Sequence, residues 1–211
     1  MAIETLDGRA LKEALMFAAD RFAREEHRLN DLDGAIGDGD HGITMRIGFD
    51  AIRAAVAPLD DSTAPGAILR KAGMAFMGAT GGAIGVIFGK ALMGGGAALG
   101  GAARIGPAEF CAVLQSMETS VASTGKAKPG DKTILDSIHA AAGIAPAQGL
   151  TDTVRAACRA AEEGALATAG WQCKIGRASR LGERSVGHPD PGAVSFGIFL
   201  RSLLEWCETQ P

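Results

Sequence analysis

Apolar residues in this chain recur almost everywhere at the spacing of a helix and almost nowhere at that of a strand. Leu11, Ala14, Leu15, Ala18 and Phe22 lie three or four positions apart, so a helix gathers them on one face. The same spacing links Ile43, Ile47, Ile52, Ala55 and Val56, then Ile68, Leu69, Ala72 and Phe76, then Phe110, Leu114, Met117 and Val121. Strands have little to be built from: alternating Val/Ile/Thr runs are missing, tyrosine is absent and aromatics make up only 5% of the residues. Asp7 is placed to cap a first helix, and Asp40 stands where a second begins. Pro65 and Pro107 suit the first positions of a third and a fifth, where a fixed φ helps and a missing N–H costs nothing. A fourth helix is expected after Gly82, a sixth from Lys132 through Leu135 and Ile138, and a seventh from Thr151-Asp152. Pro191 opens the last, with Val194, Ile198, Leu203 and Leu204 inward. The expected fold is all-α, a single domain over residues 1–211 with about eight helices in an antiparallel bundle.

Two stretches complicate this pattern. Residues 72–89 carry no charge and resemble a membrane span in composition, but they contain six glycines, and Gly81-Gly82 breaks a helix midway. Two closely packed helices meeting at a turn are expected instead. Gly94-Gly95-Gly96 either ends the fourth helix near Met93 or lets neighbouring backbones approach; the sequence alone favours an end near Met93. A net charge of −3 provides no basic face for nucleic acid. Cys111, Cys158, Cys173 and Cys207 form no CxxC pair and no zinc spacing, so buried free thiols in a reducing cytoplasm are expected. The opening MAIETLDGRALKEAL lacks a basic segment followed by an apolar one, so no secretory signal is expected.

The connections are more informative than the helices. Residues 31–44, 78–85, 125–133 and 176–192 are dense in Gly, Asp, Thr and Arg, and they precede the second, fourth, sixth and eighth helices. In an up-and-down bundle that parity puts all four at one end, where a rigid scaffold can hold a site. The first contains Asp33, Asp38 and Asp40, three carboxylates within eight residues and no cation among them. Their mutual repulsion is costly until something positive arrives. A helix cap accounts for one of them and not for three. Oxygen-only ligands suit magnesium or calcium. An EF-hand is excluded, because Ala35 and Gly37 fall at ligand positions counted from Asp33, and Gly42 and Ile43 are wrong counted from Asp38. Magnesium completes its shell with substrate phosphates, which points to a phosphate-bearing ligand.

Two phosphate-loop readings fail. Gly37-Asp38-Gly39-Asp40-His41-Gly42 matches GxGxxG, but no strand precedes it and its variable positions are acidic. Gly89-Lys90 is followed by Ala91 and lacks the earlier glycine of a Walker A loop. The glycines of residues 80–85 can instead expose N–H groups at a helix start. Gly125-Lys126-Ala127-Lys128-Pro129-Gly130-Asp131-Lys132-Thr133 adds cations and a hydroxyl, and Arg177 can neutralise phosphate charge. Asp190 can cap the last helix.

Four ordered motifs, LDGAIGDGDHG (32–42), GGAIG (81–85), GKAKPGDKT (125–133) and GRASRLGERSVGHPDPGA (176–193), resemble the L subunit of dihydroxyacetone kinase along essentially the whole chain. The resemblance implies an eight-helix barrel around a lipid-like or apolar interior, with ADP or ATP at one end. It implies two Mg2+ ions held by Asp33, Asp38 and Asp40. Nucleotide contacts are implied at His41, Gly42, Ile43 and Thr44, at Ala83 and Ile84, at Gly125 and Ile134, at Arg177, and at Asp190, Pro191 and Gly192. Arg177 is the implied catalytic cation. One departure stands out: Ile84 occupies the place of a family serine that gives phosphate a side-chain hydrogen bond, while beyond it the usual proline and tyrosine or phenylalanine read Val86 and Phe88, a milder change.

The resemblance also implies a separate K subunit that holds the sugar covalently and supplies the catalytic base. The donor is open between ATP and a phosphoenolpyruvate-system protein that rephosphorylates a retained ADP. The acceptor is open between dihydroxyacetone and ketoses such as erythrulose. A regulatory nucleotide-binding role without turnover and assembly as a homodimer also stay open. A membrane partner is not expected.

Overall fold

The computed structural model describes residues 3–210, the Arg177 side chain excepted. Among these residues lie eight α-helices: α1 (Gly8–Gly34), α2 (His41–Val56), α3 (Pro65–Ala79), α4 (Gly82–Ala98), α5 (Pro107–Gly125), α6 (Ile134–Ala142), α7 (Leu150–Ala167) and α8 (Pro191–Thr209). Two 3-10 segments, Thr168–Gly170 and Arg177–Ser185, lie in the α7–α8 connection. Among the described residues, β pairing is limited to one antiparallel bridge between Leu6 and Ile105. No described helix is long and apolar enough to cross a membrane.

Each helix packs on the next, and α1 also packs on α8, so the bundle closes into a ring. Residues in or beside the α1–α2, α3–α4, α5–α6 and α7–α8 connections line one cleft, so these four loops share one end of the bundle. The middle of the ring is filled by aromatic side chains. Phe22 of α1 stacks on Phe49 of α2 with centroids 4.0 Å apart. Phe76 of α3 and Phe88 of α4 stand edge-on to Phe49, and Phe199 of α8 closes the group. Five helices thus meet in one buried cluster, and rings supply large apolar areas to such a core. The apolar interior implied by the resemblance is occupied here by the chain's own phenylalanines.

Several local signals act as read. Asp7 Oδ1 accepts from the Ala10 N–H at 3.0 Å and caps α1. Pro65, Pro107 and Pro191 each open a helix. The four cysteines are free and buried. Residues 72–89 are two helices meeting at Thr80-Gly81, as expected. The sixth helix starts at Ile134, capped by Thr133, rather than at Lys132, and the seventh at Leu150.

Three expectations need correction. α4 does not end near Met93 but continues through the three glycines to Ala98. A Cβ on Gly96 would lie 2.6 Å from the Gly66 carbonyl oxygen of α3, and one on Gly94 would lie 2.7 Å from Cβ of Ser120 in α5. The glycines are the faces on which α3 and α5 approach α4, and this packing offsets their helix penalty. On α2 the inward side chains are Met45, Phe49, Ile52 and Val56, while Ile43 and Ile47 are each 39% exposed. Gly48 sets this rotation: it lies directly against the Phe76 ring, where a Cβ would overlap. A glycine adds nothing to an apolar count, so the true face was hidden. α1 also runs on to Gly34, which puts Asp33 in a last helical turn rather than in a loop.

Gly96→Ala is expected to destabilise the protein by about 1–3 kcal/mol through overpacking, despite its helix preference. Gly78→Ala, at an exposed helical position with open space around it, is expected to be neutral or stabilising by up to about 1 kcal/mol. Urea unfolding of both variants tests this, and equal shifts would contradict the close-packing account.

Candidate metal and nucleotide site

Asp33, Asp38 and Asp40 converge: each offers a carboxylate oxygen, and these oxygens lie within 4.8 Å of one another. Asp33 comes from the last turn of α1, which has no basic side chain there. The negative end of a helix dipole therefore adds to the repulsion. The loop is shaped around Asp33. Its carbonyl accepts from Ile36 and Gly37, and its Oδ2 accepts from the Gly39 N–H at 2.8 Å. Gly39 has φ +79°, and a Cβ on Gly37 would overlap the Asp33 carboxylate. Asp40 stands at the N-cap of α2, yet its side chain makes no capping bond. Oxygen-only donors at this separation fit a hard divalent cation.

Beside the cluster lies a cleft of about 450 Å³, within the range of small-ligand sites. All four expected loops line it: Asp33, Gly37 and Asp38 from the first, Ala83 and Ile84 from the second, Gly125 and Ile134 around the third, Asp190, Pro191 and Gly192 from the fourth. α4 begins at Gly81-Gly82 without a side-chain cap, so its first-turn N–H groups have no acceptor from the cap position.

Other expected residues have different settings. His41 lines the cleft, but its ring is buried and Nε2 lies 2.7 Å from Ser195 Oγ of α8. Burial lowers its pKa to about 4, with Asp33 and a bond to the Pro191 carbonyl opposing, so the imidazole is neutral at physiological pH. It ties the start of α2 to the start of α8. Gly42 packs against α1, Ile43 faces solvent, and Thr44 and Asp40 do not line the cleft. Asp190 is the cap of α8, its Oδ1 accepting from Ala193 N–H at 2.7 Å. Burial pushes its carboxyl up to about 7, although part of the residue still faces the cleft. Arg177 begins the 3-10 segment of the fourth loop, and its side chain lies outside the described residues.

Sequence reasoning missed the role of Lys132. It is buried, with φ +62°, and its Nζ donates to the carbonyls of Trp171 at 2.9 Å and Ser185 at 2.5 Å. These carbonyls are the two feet of the excursion that carries Arg177. Cys173 N–H donates to Ser185 Oγ, and Lys174 N–H to the Asp131 carbonyl, which strengthens the same junction. Lys132 is thus a strut between the third and fourth loops, and burial lowers its pKa. The motif showed a lysine, but nothing in it shows that the ammonium turns to carbonyls. Ile36, Ile87, Cys173 and Ile175 also line the cleft and give it an apolar wall. They lie within or beside the motifs, yet as apolar residues they resemble core.

The DAK2 domain model matches residues 35–205. The chain is 36% identical over 209 residues to the D-erythrulose kinase of Mycolicibacterium smegmatis, covering 94% of this chain and 36% of that protein. It is 35% identical over 187 residues to the ADP-binding subunit DhaL of the PEP-dependent dihydroxyacetone kinase 2 of Listeria innocua, covering 86% of this chain and 87% of that protein. The crystal structure of the dihydroxyacetone kinase from C. freundii in complex with AMP-PNP and Mg2+ superposes with a TM-score of 0.70 at 23% identity, over 92% of this chain and 33% of that one. The chain belongs to the DAK2 domain family. It spans about a third of the D-erythrulose kinase and most of the DhaL subunit.

Lys132→Met is expected to free both feet of the Arg177 segment. Trypsin should then cleave after Arg180 or Arg184 several times faster, with a stability loss of about 1–3 kcal/mol from the stranded carbonyls. Unchanged protease resistance would show that the strut is dispensable.

Proposed function

We propose that this chain is the phosphate-donating, Mg-nucleotide-binding part of a kinase for short ketoses, acting on a sugar held by a separate K subunit. The convergence of three carboxylates beside a cleft lined by all four loops carries this reading. Asp33, Asp38 and Asp40 would hold two magnesium ions, which when bound neutralise phosphate charge and orient the phosphoryl group. The uncapped start of α4, at Ala83 and Ile84, offers N–H groups to phosphate oxygens. Ile84 brings no hydroxyl, so that contact rests on backbone alone. Ile36, Ile87, Ile134 and Ile175 form an apolar wall suited to a base and to keeping water out. Gly192 packs closely beside them: a Cβ there would lie 3.2 Å from Cβ of Ile134, tighter than ordinary van der Waals contact. Arg177, on the segment pinned by Lys132, would stabilise charge on the phosphoryl group as it passes in line to a sugar hydroxyl. The base that takes the hydroxyl proton belongs to the K subunit.

The names of the relatives support both open alternatives. The L. innocua relative is named as PEP-dependent and ADP-binding, which favours a retained ADP. The M. smegmatis relative is named for D-erythrulose, which makes that ketose the second acceptor to test. We place the protein in the cytoplasm, with self-association as a homodimer a further part of the proposal.

The test mixes the protein with a K subunit loaded with dihydroxyacetone or erythrulose, and supplies either MgATP or ADP with a phosphoenolpyruvate-system donor. Sugar phosphate is expected with one donor, and Asp33→Asn should slow it at least about 100-fold, since metal-borne charge stabilisation is worth several kcal/mol. No product from any combination would overturn the proposal.

A further inference from the structure

An N-cap side chain ordinarily accepts the N–H groups of the second and third helical residues. For α2 those residues are Gly42 and Ile43, and the cap position belongs to Asp40. Both N–H groups are already taken. Asn30 Oδ1, from the neighbouring helix α1, accepts from Gly42 at 2.8 Å and from Ile43 at 3.2 Å. Asp40 contributes only its backbone carbonyl, which accepts from Thr44 N–H at 3.0 Å. Its φ and ψ of −112° and 3° lie outside the extended region usual for a cap. The arrangement depends on close approach of the two helices. Gly42 packs on the Glu26 carbonyl of α1 with no room for a Cβ, which brings the α2 N-terminus within reach of Asn30.

We infer that Asn30 is a positioning residue for the acidic cluster: by capping α2 from α1, it keeps the Asp40 carboxylate off the helix N-terminus and directed to a cation with Asp33 and Asp38. Left alone, α2 would draw Asp40 onto its own N–H groups, because a carboxylate at that end is favoured by both hydrogen bonding and the helix dipole. A carboxylate drawn onto its own helix N-terminus turns toward the cap and away from the other two aspartates. An amide suits the task because it supplies an acceptor oxygen without a fourth negative charge beside three carboxylates. The two helix starts at the cleft are therefore handled oppositely: α4 lacks a side-chain cap and α2 is capped by a neighbour.

The inference rests on the metal reading above, and a double-mutant cycle separates the two. Wild type, Asn30→Ala, Asp40→Ala and the double variant are unfolded thermally in EDTA and titrated with Mn2+ in the presence of ADP. Asp40→Ala alone should leave the Tm unchanged or raise it, since it removes repulsion and no cap. In the Asn30→Ala background the same change should lower the Tm, because Asp40 then carries the cap. Asn30→Ala should also weaken Mn2+ binding about 10-fold or more, as changes behind metal ligands do. Asn30→Asp, which keeps an acceptor oxygen, should restore the wild-type response to Asp40→Ala. Should Asn30→Ala not fold, Asn30→Ser gives a milder form of the cycle. Equal Tm effects of Asp40→Ala in both backgrounds, or Mn2+ affinity within twofold after Asn30→Ala, would overturn the inference. Absence of Mn2+ binding in wild type would instead count against the metal reading, and the thermal arm would still decide who caps α2.

Discussion

Eight helices can close on one another only if something fills the space they enclose. Here it is a cluster of phenylalanines from α1, α2, α3, α4 and α8, with Phe49 touching four of its neighbours. The cluster fixes the spacing of the helices, and glycine contacts bring them closer where backbones cross: Gly96 against Gly66, Gly89 against Gly73 and Gly48 against the Phe76 ring. A ring that closes between α1 and α8 brings the first and last loops together, and His41 bridging to Ser195 is the visible seam. The cleft is thus a consequence of closure.

Against that stiffness the site holds an arrangement that electrostatics opposes. Three carboxylates meet at the negative end of α1, and the chain spends glycines and borrowed hydrogen bonds to keep them there. Asn30 and Lys132 belong to the same logic. Neither is arranged as a ligand: one satisfies a helix start, the other satisfies two loop carbonyls, and each sets the position of charges that a phosphate ligand would meet. Support of this kind keeps first-contact groups at a usable geometry.

Much of this was legible in the sequence. Proline and aspartate at helix starts gave the helix order, and the parity of the loops placed the four motifs at one end. Face assignment failed where glycine set the packing, as at Gly48 of α2 and at Gly94–Gly96 of α4, because a residue without a side chain leaves no mark in a hydropathy pattern. The aspartates were legible as a cluster, since three carboxylates within eight residues and no cation between them are anomalous in any local stretch. Asn30 was invisible: it acts across a helix–helix contact that depends on Gly42, and an asparagine late in a polar helix carries no local signal. The apolar cleft wall was hidden for the opposite reason, since Ile36, Ile87 and Ile175 resemble ordinary core.

The central claim is that the aspartate cluster holds a nucleotide through divalent metal. The most direct test strips the purified protein of any nucleotide and titrates ADP calorimetrically, with Mg2+ and with EDTA, for wild type and Asp38→Asn. The account predicts one ADP per chain bound with Mg2+, and binding weakened at least about 10-fold both in EDTA and in the variant. ADP binding of equal strength with and without Mg2+, or untouched by Asp38→Asn, would contradict it.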